Sequence, residues 1–330
     1  MSEKILSICM PTYKRREIFV RSYNEIIQQV KESNSEDLVE YVISVNPSQD
    51  GTEQFLENQT IETFINININ KENIGAEDNI SYVLSMATGK YVWLIGDDDI
   101  LLPGSLLRIL NLIKQYSDLA WIYINYGYED KDKKNLLPMR LVKRIEGYYK
   151  DGRAAMLSNF KYLDGSILFT TANVYLREAA VTLGEQGYNE EMSTMLYTIV
   201  SSTLGGAYII SEPMINQGQD ILWKDREYEY VVKRFNCMLL KLMEVGFTKR
   251  EVMKLIRERM TNEAVTIWFI IFKELFIAPS AALEHYLWYL KLIPLTTIFM
   301  TFTLPIWAIY LLIRHGLRDI KRKKQKKSMV

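Results

Sequence analysis

The 330-residue chain predicts an open, mostly parallel α/β sheet, and three observations carry that expectation. Short apolar runs alternate with amphipathic helical stretches along residues 5–128. The polar residues gather in the turns that follow the runs. Three consecutive carboxylates, Asp97-Asp98-Asp99, close the apolar run Tyr91–Ile95. Strands alternating with helices form a parallel sheet covered on both faces, and such sheets bind ligands beyond the carboxyl ends of their strands.

Each element follows from local pattern. Residues 5–10 (ILSICM) are a short apolar run stopped at Pro11, as in a buried strand. Arg16–Val30 has helical spacing, with Phe19, Val20, Tyr23, Ile26, Ile27 and Val30 on one face. Val42–Val45 is a second strand ending in the turn-rich NPSQDGT, and Glu53–Asn58 is a helical stretch. Thr63–Ile69 supplies a third strand through Phe64, Ile65, Ile67 and Ile69. Asn73-Ile74-Gly75 breaks it before a helix over Ala76–Ala87, and Thr88-Gly89-Lys90 turns into the strand that ends at the aspartates. Beyond Pro103-Gly104, a helix over Ser105–Tyr116 leads into an aromatic strand, Leu119–Tyr128, in which Trp121, Tyr123, Tyr126 and Tyr128 read as core and rim. EDKDKKN (129–135) reads as a solvated loop. Residues 148–180 read as a helix, a turn at Leu163-Asp164-Gly165 and a strand around Ser166–Tyr175. A polar loop (187–191), a helix (Ser193–Leu204) and a last strand (Ala207–Ile210) complete a unit expected to end near residue 225, with Trp223 just before that end.

Composition narrows the chemistry. With 48% hydrophobic residues the chain can bury a full core, enough for one large domain and an appendage. Cys9 and Cys237 have no metal-ligand spacing and form no disulfide framework, which suits a reducing compartment. His285 and His315 both lie in the C-terminal quarter, so acid–base chemistry in the first 235 residues falls to carboxylates, Lys or Tyr. The start, MSEKILSICM, lacks the long apolar core and small-residue cleavage site of a secretory signal. Neither GxGxxG nor GxxxxGK[ST] follows any strand, which removes most support for a dinucleotide or P-loop site.

The triple aspartate is the most specific feature. Adjacent carboxylates repel, and a hard divalent cation or a hydroxyl-rich ligand offsets that repulsion; Mg²⁺ commonly binds one or two carboxylates together with substrate phosphates. A solvated acidic turn capping the next helix is the plainer alternative.

Four strings in order resemble the family 2 glycosyltransferases: CMPTYKRRE, SVNPSQDGT, NIGAEDN and TGKYVWLIGDDDILLPGSL. The likeness covers residues 4–110 well and 110–225 loosely, and the GDDD version with NIGAEDN upstream looks most like the abequosyltransferase-like enzymes of bacterial surface polysaccharide synthesis. The resemblance implies a GT-A fold over 1–225, with a nucleotide-sugar half (1–100) and an acceptor half (101–225). It implies nucleotide contacts at Pro11, Thr12, Tyr13, Arg15, Asn46 and Asp78, ribose contact at Asp97, and Mn²⁺ or Mg²⁺ held by Asp98 with Asp99 as a supporting acid. The family often has an acid where this chain has Asn46. Its DXD motif would begin at Gly96. For the base that accepts the proton of the attacking hydroxyl, Glu191 is preferred over Glu190; the alternative is that both favour the N-terminus of the following helix. A UDP-sugar is the donor the resemblance favours, transferred with inversion.

The C-terminal part, 226–330, is different in character. Residues 226–262 read as amphipathic helices. Leu292–Ile313 has no charged residue and is long enough to cross a bilayer, although Pro294 and Pro305 interrupt it. Between Arg314 and Val330 there are eight Lys/Arg and one acid, so the tail carries +7 and the remainder −7. A basic tail after an apolar stretch favours anionic lipid over nucleic acid. One span would put a basic tail and a sugar-nucleotide site on opposite sides, against the positive-inside rule. A monotopic or re-entrant anchor on the cytoplasmic face of a bacterial membrane resolves this, and a lipid-linked saccharide acceptor fits it. A two-span hairpin and a core helix pair or homo-oligomer interface are the alternatives. The expected function is sugar transfer in capsule, exopolysaccharide or O-antigen synthesis. A polyprenyl-phosphate glycosyltransferase, a sugar-phosphate nucleotidyltransferase and an inactive polysaccharide-assembly partner are the other readings.

Overall fold

The computed structural model describes residues 4–59, 62–129, 136–138, 143–189, 192–218 and 234–262, with 280, 283, 286, 287, 290 and 291. The strands and helices of the first half are β1 (Leu6–Thr12), α1 (Arg16–Glu32), β2 (Val39–Val45), α2 (Thr52–Glu57), β3 (Ile65–Ile69), α3 (Ala76–Met86), β4 (Tyr91–Leu94), β5 (Ile100–Leu101) and α4 (Ser105–Gln115). There follow β6 (Leu119–Glu129), β7 (Leu136–Pro138), β8 (Gly147–Tyr149), α5 (Gly152–Leu163), β9 (Asn173–Leu176), α6 (Arg177–Glu185), α7 (Ser193–Ser201), β10 (Gly206–Asn216), α8 (Phe235–Lys241) and α9 (Lys249–Asn262).

One sheet runs β3-β2-β1-β4-β9-β6-β10-β5, with β7 on β6 and β8 on β10. β3, β2, β1 and β4 are parallel, as are β6 and β10, while β9 runs antiparallel between β4 and β6. The central parallel strands β1, β2 and β4 are buried almost throughout, which explains their reading as near-continuous apolar runs: every residue of β2 and β4 is buried. The chain leaves β1 toward β2 on one side, whereas β4 lies on the other. That reversal of direction is the switch point at which open α/β sheets place their ligands.

Two expectations about local structure change. Residues 166–172, expected as strand, instead belong to two 3-10 segments, Asp164–Leu168 and Thr170–Ala172, and the residue between them, and only Asn173–Leu176 pairs in the sheet. Ile167, Leu168 and Phe169 have β-forming side chains, but Phe169 N–H bonds the Ser166 carbonyl and Ala172 N–H the Phe169 carbonyl, which tightens the backbone into turns. The last strand also extends well past Ile210, to Asn216.

α8 and α9 join the main core through Phe235, Leu239, Leu255, Ile256 and Met260. Among the described residues no helix is long and apolar enough to cross a membrane. The apolar stretch 292–313 and the basic tail lie outside the described residues.

Candidate active site

Strand register brings Thr12 and Asp97 level. β1 and β4 pair through Cys9 and Leu94, and the Ile95 N–H carries the ladder on to the Cys9 carbonyl at 2.9 Å. Three residues past Cys9 is Thr12, and three past Leu94 is Asp97. The Thr12 hydroxyl donates to Asp97 Oδ2 at 2.7 Å. Lys14, at φ 57, turns the chain sharply between β1 and α1, and Arg15 follows as the helix N-cap. Its guanidinium donates to Asp97 Oδ1 at 2.9 Å and lies 3.3 Å from Asp98 Oδ1.

The three aspartates have separate environments. Asp97 is buried, and burial pushes its carboxyl up against the opposing pull of Arg15 and the Thr12 hydroxyl. Asp99 is buried more deeply. One oxygen accepts from the Thr171 hydroxyl at 2.5 Å and the other from the Gly218 N–H at 2.9 Å. Burial raises its pKa to about 7 against those two bonds, and the Asp98 and Asp97 charges add to the rise. Asp98 is half-buried, between Arg15 on one side and Gly218 on the other. A Cβ on Gly218 would overlap the Asp98 carboxylate, so only glycine permits this approach.

Thr171 and Gly218 are site residues that sequence reasoning missed. Thr171 sat inside a stretch read as strand. The only sign of Gly218 was its place in the polar NQGQ that follows the last strand.

The donor set fits a hard divalent cation of the Mg²⁺ or Mn²⁺ type. Among the described residues no group of three or more His, Cys, Asp or Glu side chains forms a metal cage. Such a cation in a phosphate-transferring site takes one or two carboxylates and completes its shell with substrate phosphates and water. Asp98, the half-exposed acid of the three, suits that role. Asp99 has both oxygens bonded to protein donors, the Thr171 hydroxyl and the Gly218 N–H.

The sequence profile of glycosyl transferase family 2 matches residues 7–184, more than half of the chain. The chain belongs to glycosyl transferase family 2. It is 32% identical over 117 residues to abequosyltransferase RfbV of Salmonella typhimurium, covering 35% of this chain and 34% of that protein. It is 24% identical over 128 residues to the uncharacterized glycosyltransferase MJ1057 of Methanocaldococcus jannaschii, covering 37% of this chain and 43% of that one. The chain thus spans well under half the length of these curated relatives. In fold it is similar to S. aureus TarS 1-349 in complex with UDP-GlcNAc (TM-score 0.56, 14% identity, 78% of this chain and 72% of that one). It is also similar to the mannosyltransferase PcManGT from Pyrobaculum calidifontis in complex with GDP-Man and Mn²⁺ (TM-score 0.53, 12% identity, 92% of this chain and 82% of that one).

The family 2 match includes Thr12, Arg15, all three aspartates and Thr171, and it ends before Gly218. The other family 2 positions expected to contact nucleotide are arranged around the same strand ends. Pro11 is half-buried, and Tyr13 is exposed with the Lys14 ammonium 5.2 Å from its ring centroid. Asp78 is exposed in the first turn of α3. Asn46 is 1% exposed and engaged with protein on both ends of its amide. Nδ2 donates to the Gly75 carbonyl at 3.0 Å, and Oδ1 accepts from Asn70 Nδ2 at 2.9 Å and the Ile74 N–H at 3.3 Å. Asn70 Nδ2 also reaches Asn79 Oδ1 at 3.0 Å, so Asn46 stitches the loop before α3 to the end of β2. Glu190, Glu191 and Trp223 lie outside the described residues.

Proposed function

We propose that this family 2 chain is a metal-dependent, inverting glycosyltransferase that moves a sugar from a nucleoside-diphosphate donor to a lipid-linked saccharide at the cytoplasmic face of a bacterial membrane. The observation that carries the reading is the division of labour among the aspartates at the switch point. Asp97 is locked by Thr12 and Arg15, Asp99 is locked by Thr171 and Gly218, and Asp98 is left half-exposed between them. Surface polysaccharide synthesis is supported by the likeness to RfbV, and a nucleotide-sugar donor by the fold shared with two proteins solved in complex with UDP-GlcNAc and GDP-Man.

Each residue has a role in that reaction. Thr12, Arg15 and Asp97 form a hydrogen-bonding shelf for ribose, and Tyr13 and Asp78 flank the nucleotide. Asp98 would hold Mn²⁺ or Mg²⁺, which would supply positive charge to the departing diphosphate. The sugar passes through an oxocarbenium-like state, as in glycoside hydrolysis. Glu191 accepts the acceptor hydroxyl's proton, with Glu190 as its neighbour. The apolar stretch and the +7 tail support an anchor on anionic lipid next to a lipid-linked acceptor.

The deciding experiment incubates the full-length protein with Mn²⁺ and a panel of sugar nucleotides, UDP-sugars first, and identifies the product. Release of a nucleoside diphosphate supports glycosyl transfer, whereas pyrophosphate marks a nucleotidyltransferase. Asp98→Asn should lower turnover by about two orders of magnitude or more. Metal-dependent turnover that survives this change rejects the central assignment.

A further inference from the structure

Two polar side chains on the buried face of α1 are used by nothing described so far. Ser22 is 1% exposed and Gln29 3%, and their i, i+7 spacing puts them on one helix face with Phe19 and Ile26, which points into the core. A buried polar group must find a partner. Beyond contacts within α1 itself, from Ser22 to the Ile18 carbonyl at 3.5 Å and from Gln29 to Glu25 Oε1 at 2.9 Å, both reach one segment, residues 97–106.

The Ser22 hydroxyl lies 2.9 Å from the Asp97 carbonyl oxygen and 3.0 Å from that of Asp99. It has one proton, so the two carbonyls share it. They flank Asp98 in the chain, and the Asp99 N–H bonds the Gly96 carbonyl at 3.2 Å. The backbone therefore folds tightly around Asp98 while its carbonyls on both sides point to one hydroxyl of α1. Seven residues on, Gln29 Nε2 donates to the Leu101 and Leu102 carbonyls at 3.2 and 2.9 Å. Its Oε1 accepts the Leu106 N–H at 3.0 Å. That last bond satisfies one of the four N–H groups that the start of α4 leaves without an intrahelical partner.

We infer that Ser22 is the positioning residue that fixes the direction in which Asp98 is presented to the donor diphosphate, with Gln29 holding the outgoing chain. The apolar contacts of α1 keep the helix on the sheet, but they do not set the register of a loop with three like charges. Hydrogen bonds to specific carbonyls do. Removing the Ser22 hydroxyl frees the Asp97 and Asp99 carbonyls, and the Asp98 carboxylate loses its fixed orientation while its neighbours Thr12, Arg15 and Thr171 remain.

The inference rests on the reading of Asp98 as the metal ligand, and the test separates the two. Mn²⁺ binding is measured by calorimetry on full-length protein in the presence and absence of UDP, for wild type, Ser22→Ala, Gln29→Met and Ile26→Val. Ile26 lies on the same buried face and its apolar side chain makes no hydrogen bond, so its variant controls for lost packing alone. Expected is a weakening of Mn²⁺ binding by about tenfold or more in Ser22→Ala, the scale on which groups that orient a ligand act. UDP binding without metal should be unchanged. Gln29→Met should weaken Mn²⁺ binding in the same direction, and Ile26→Val should not. Ser22→Ala or Gln29→Met at wild-type Mn²⁺ affinity, or an equal loss in Ile26→Val, overturns the positioning role and leaves the function intact. Wild-type protein that binds no Mn²⁺ with UDP overturns both.

Discussion

Arg15 and Asp97 meet at 2.9 Å across the gap between β1 and β4, with only 14% and 9% of their side chains exposed. The same guanidinium nitrogen lies 3.3 Å from Asp98, so one cation serves two carboxylates of a run of three. Burial already pushes the Asp97 carboxyl up, and the guanidinium is the largest force opposing it. A carboxylate buried without its partner is costly, and breaking such a pair from one side typically costs about 3 kcal/mol. Arg15→Ala should lose about that much in urea denaturation and should bind UDP more weakly. Arg15→Lys should recover part of the loss, because it keeps the charge without the planar fork. A denaturation curve for Arg15→Ala that overlays wild type would reject the pairing.

Gly96 stands where the family motif usually has an acid, and the site explains the departure. A Cβ at this position would lie 2.7 Å from Asp99 Oδ2 and 3.3 Å from Asp98 Oδ1. Asp99 cannot swing aside cheaply, since Thr171 and Gly218 hold its two oxygens. Gly96→Asp should therefore damage the protein rather than restore a lost ligand, adding a fourth charge as well as bulk. Gly96→Ala isolates the bulk and should cost about 1–3 kcal/mol, the usual scale of overpacking. Thermal melts of the two variants check this. A Gly96→Asp enzyme more active than wild type would show that the position is vacant rather than filled.

Thr171 does two things with one hydroxyl. It donates to Asp99 Oδ2 at 2.5 Å and accepts the Gly96 N–H at 3.0 Å. Thr171→Val keeps the shape and leaves both groups unpaired, at a cost of about 1–3 kcal/mol for a buried polar group left unsatisfied. Thr171→Ser keeps the hydroxyl and should retain most of the stability. Equal unfolding midpoints for the Val and Ser variants would show that the hydroxyl contributes nothing.

The parts of this site differ in how openly the sequence displays them. β1, β2 and β4 are buried on both faces, so each reads as an apolar run, and the aspartates follow β4 directly. β5, β7 and β8 have two or three residues each, too few for any periodicity to show. Ser22 and Gln29 are hidden for another reason. Helical patterning is read from apolar residues, and it placed Val20 and Ile27 on the inner face, where the structure leaves them only partly buried. Ser22 and Gln29 take that face because their partners are backbone carbonyls some 75 residues away in the chain, and carbonyls leave no mark in a sequence. Thr171 and Gly218 are invisible on the same ground, since each acts on an acid that is remote in sequence and close only once the sheet has formed.

Between α5 and α9, Glu251 offers a test of the fold by pH. Thr248 and Glu251 form a capping box at the start of α9: the Thr248 N–H donates to Glu251 Oε2 at 2.8 Å, and the Glu251 N–H to the Thr248 hydroxyl at 3.3 Å. Arg153 on α5 adds two bonds to the carboxylate, at 3.1 and 2.9 Å. The Arg153 bonds, followed by those from Thr248, pull the Glu251 pKa from 4.5 down to about 2. A carboxyl whose pKa is depressed on folding stabilises the protein fully above its unfolded value and loses that contribution as pH falls through the folded one. Glu251→Gln should thus be less stable than wild type by about 1 kcal/mol at neutral pH, a modest figure because the pair is partly exposed. That gap should hold from pH 7 to about 5, then close as pH falls from 4.5 toward 2. Urea denaturation of both proteins across this range measures the gap directly, and the other acids titrate equally in each. A gap that stays constant down to pH 2 would mean that the charge of Glu251 does not link α5 to α9.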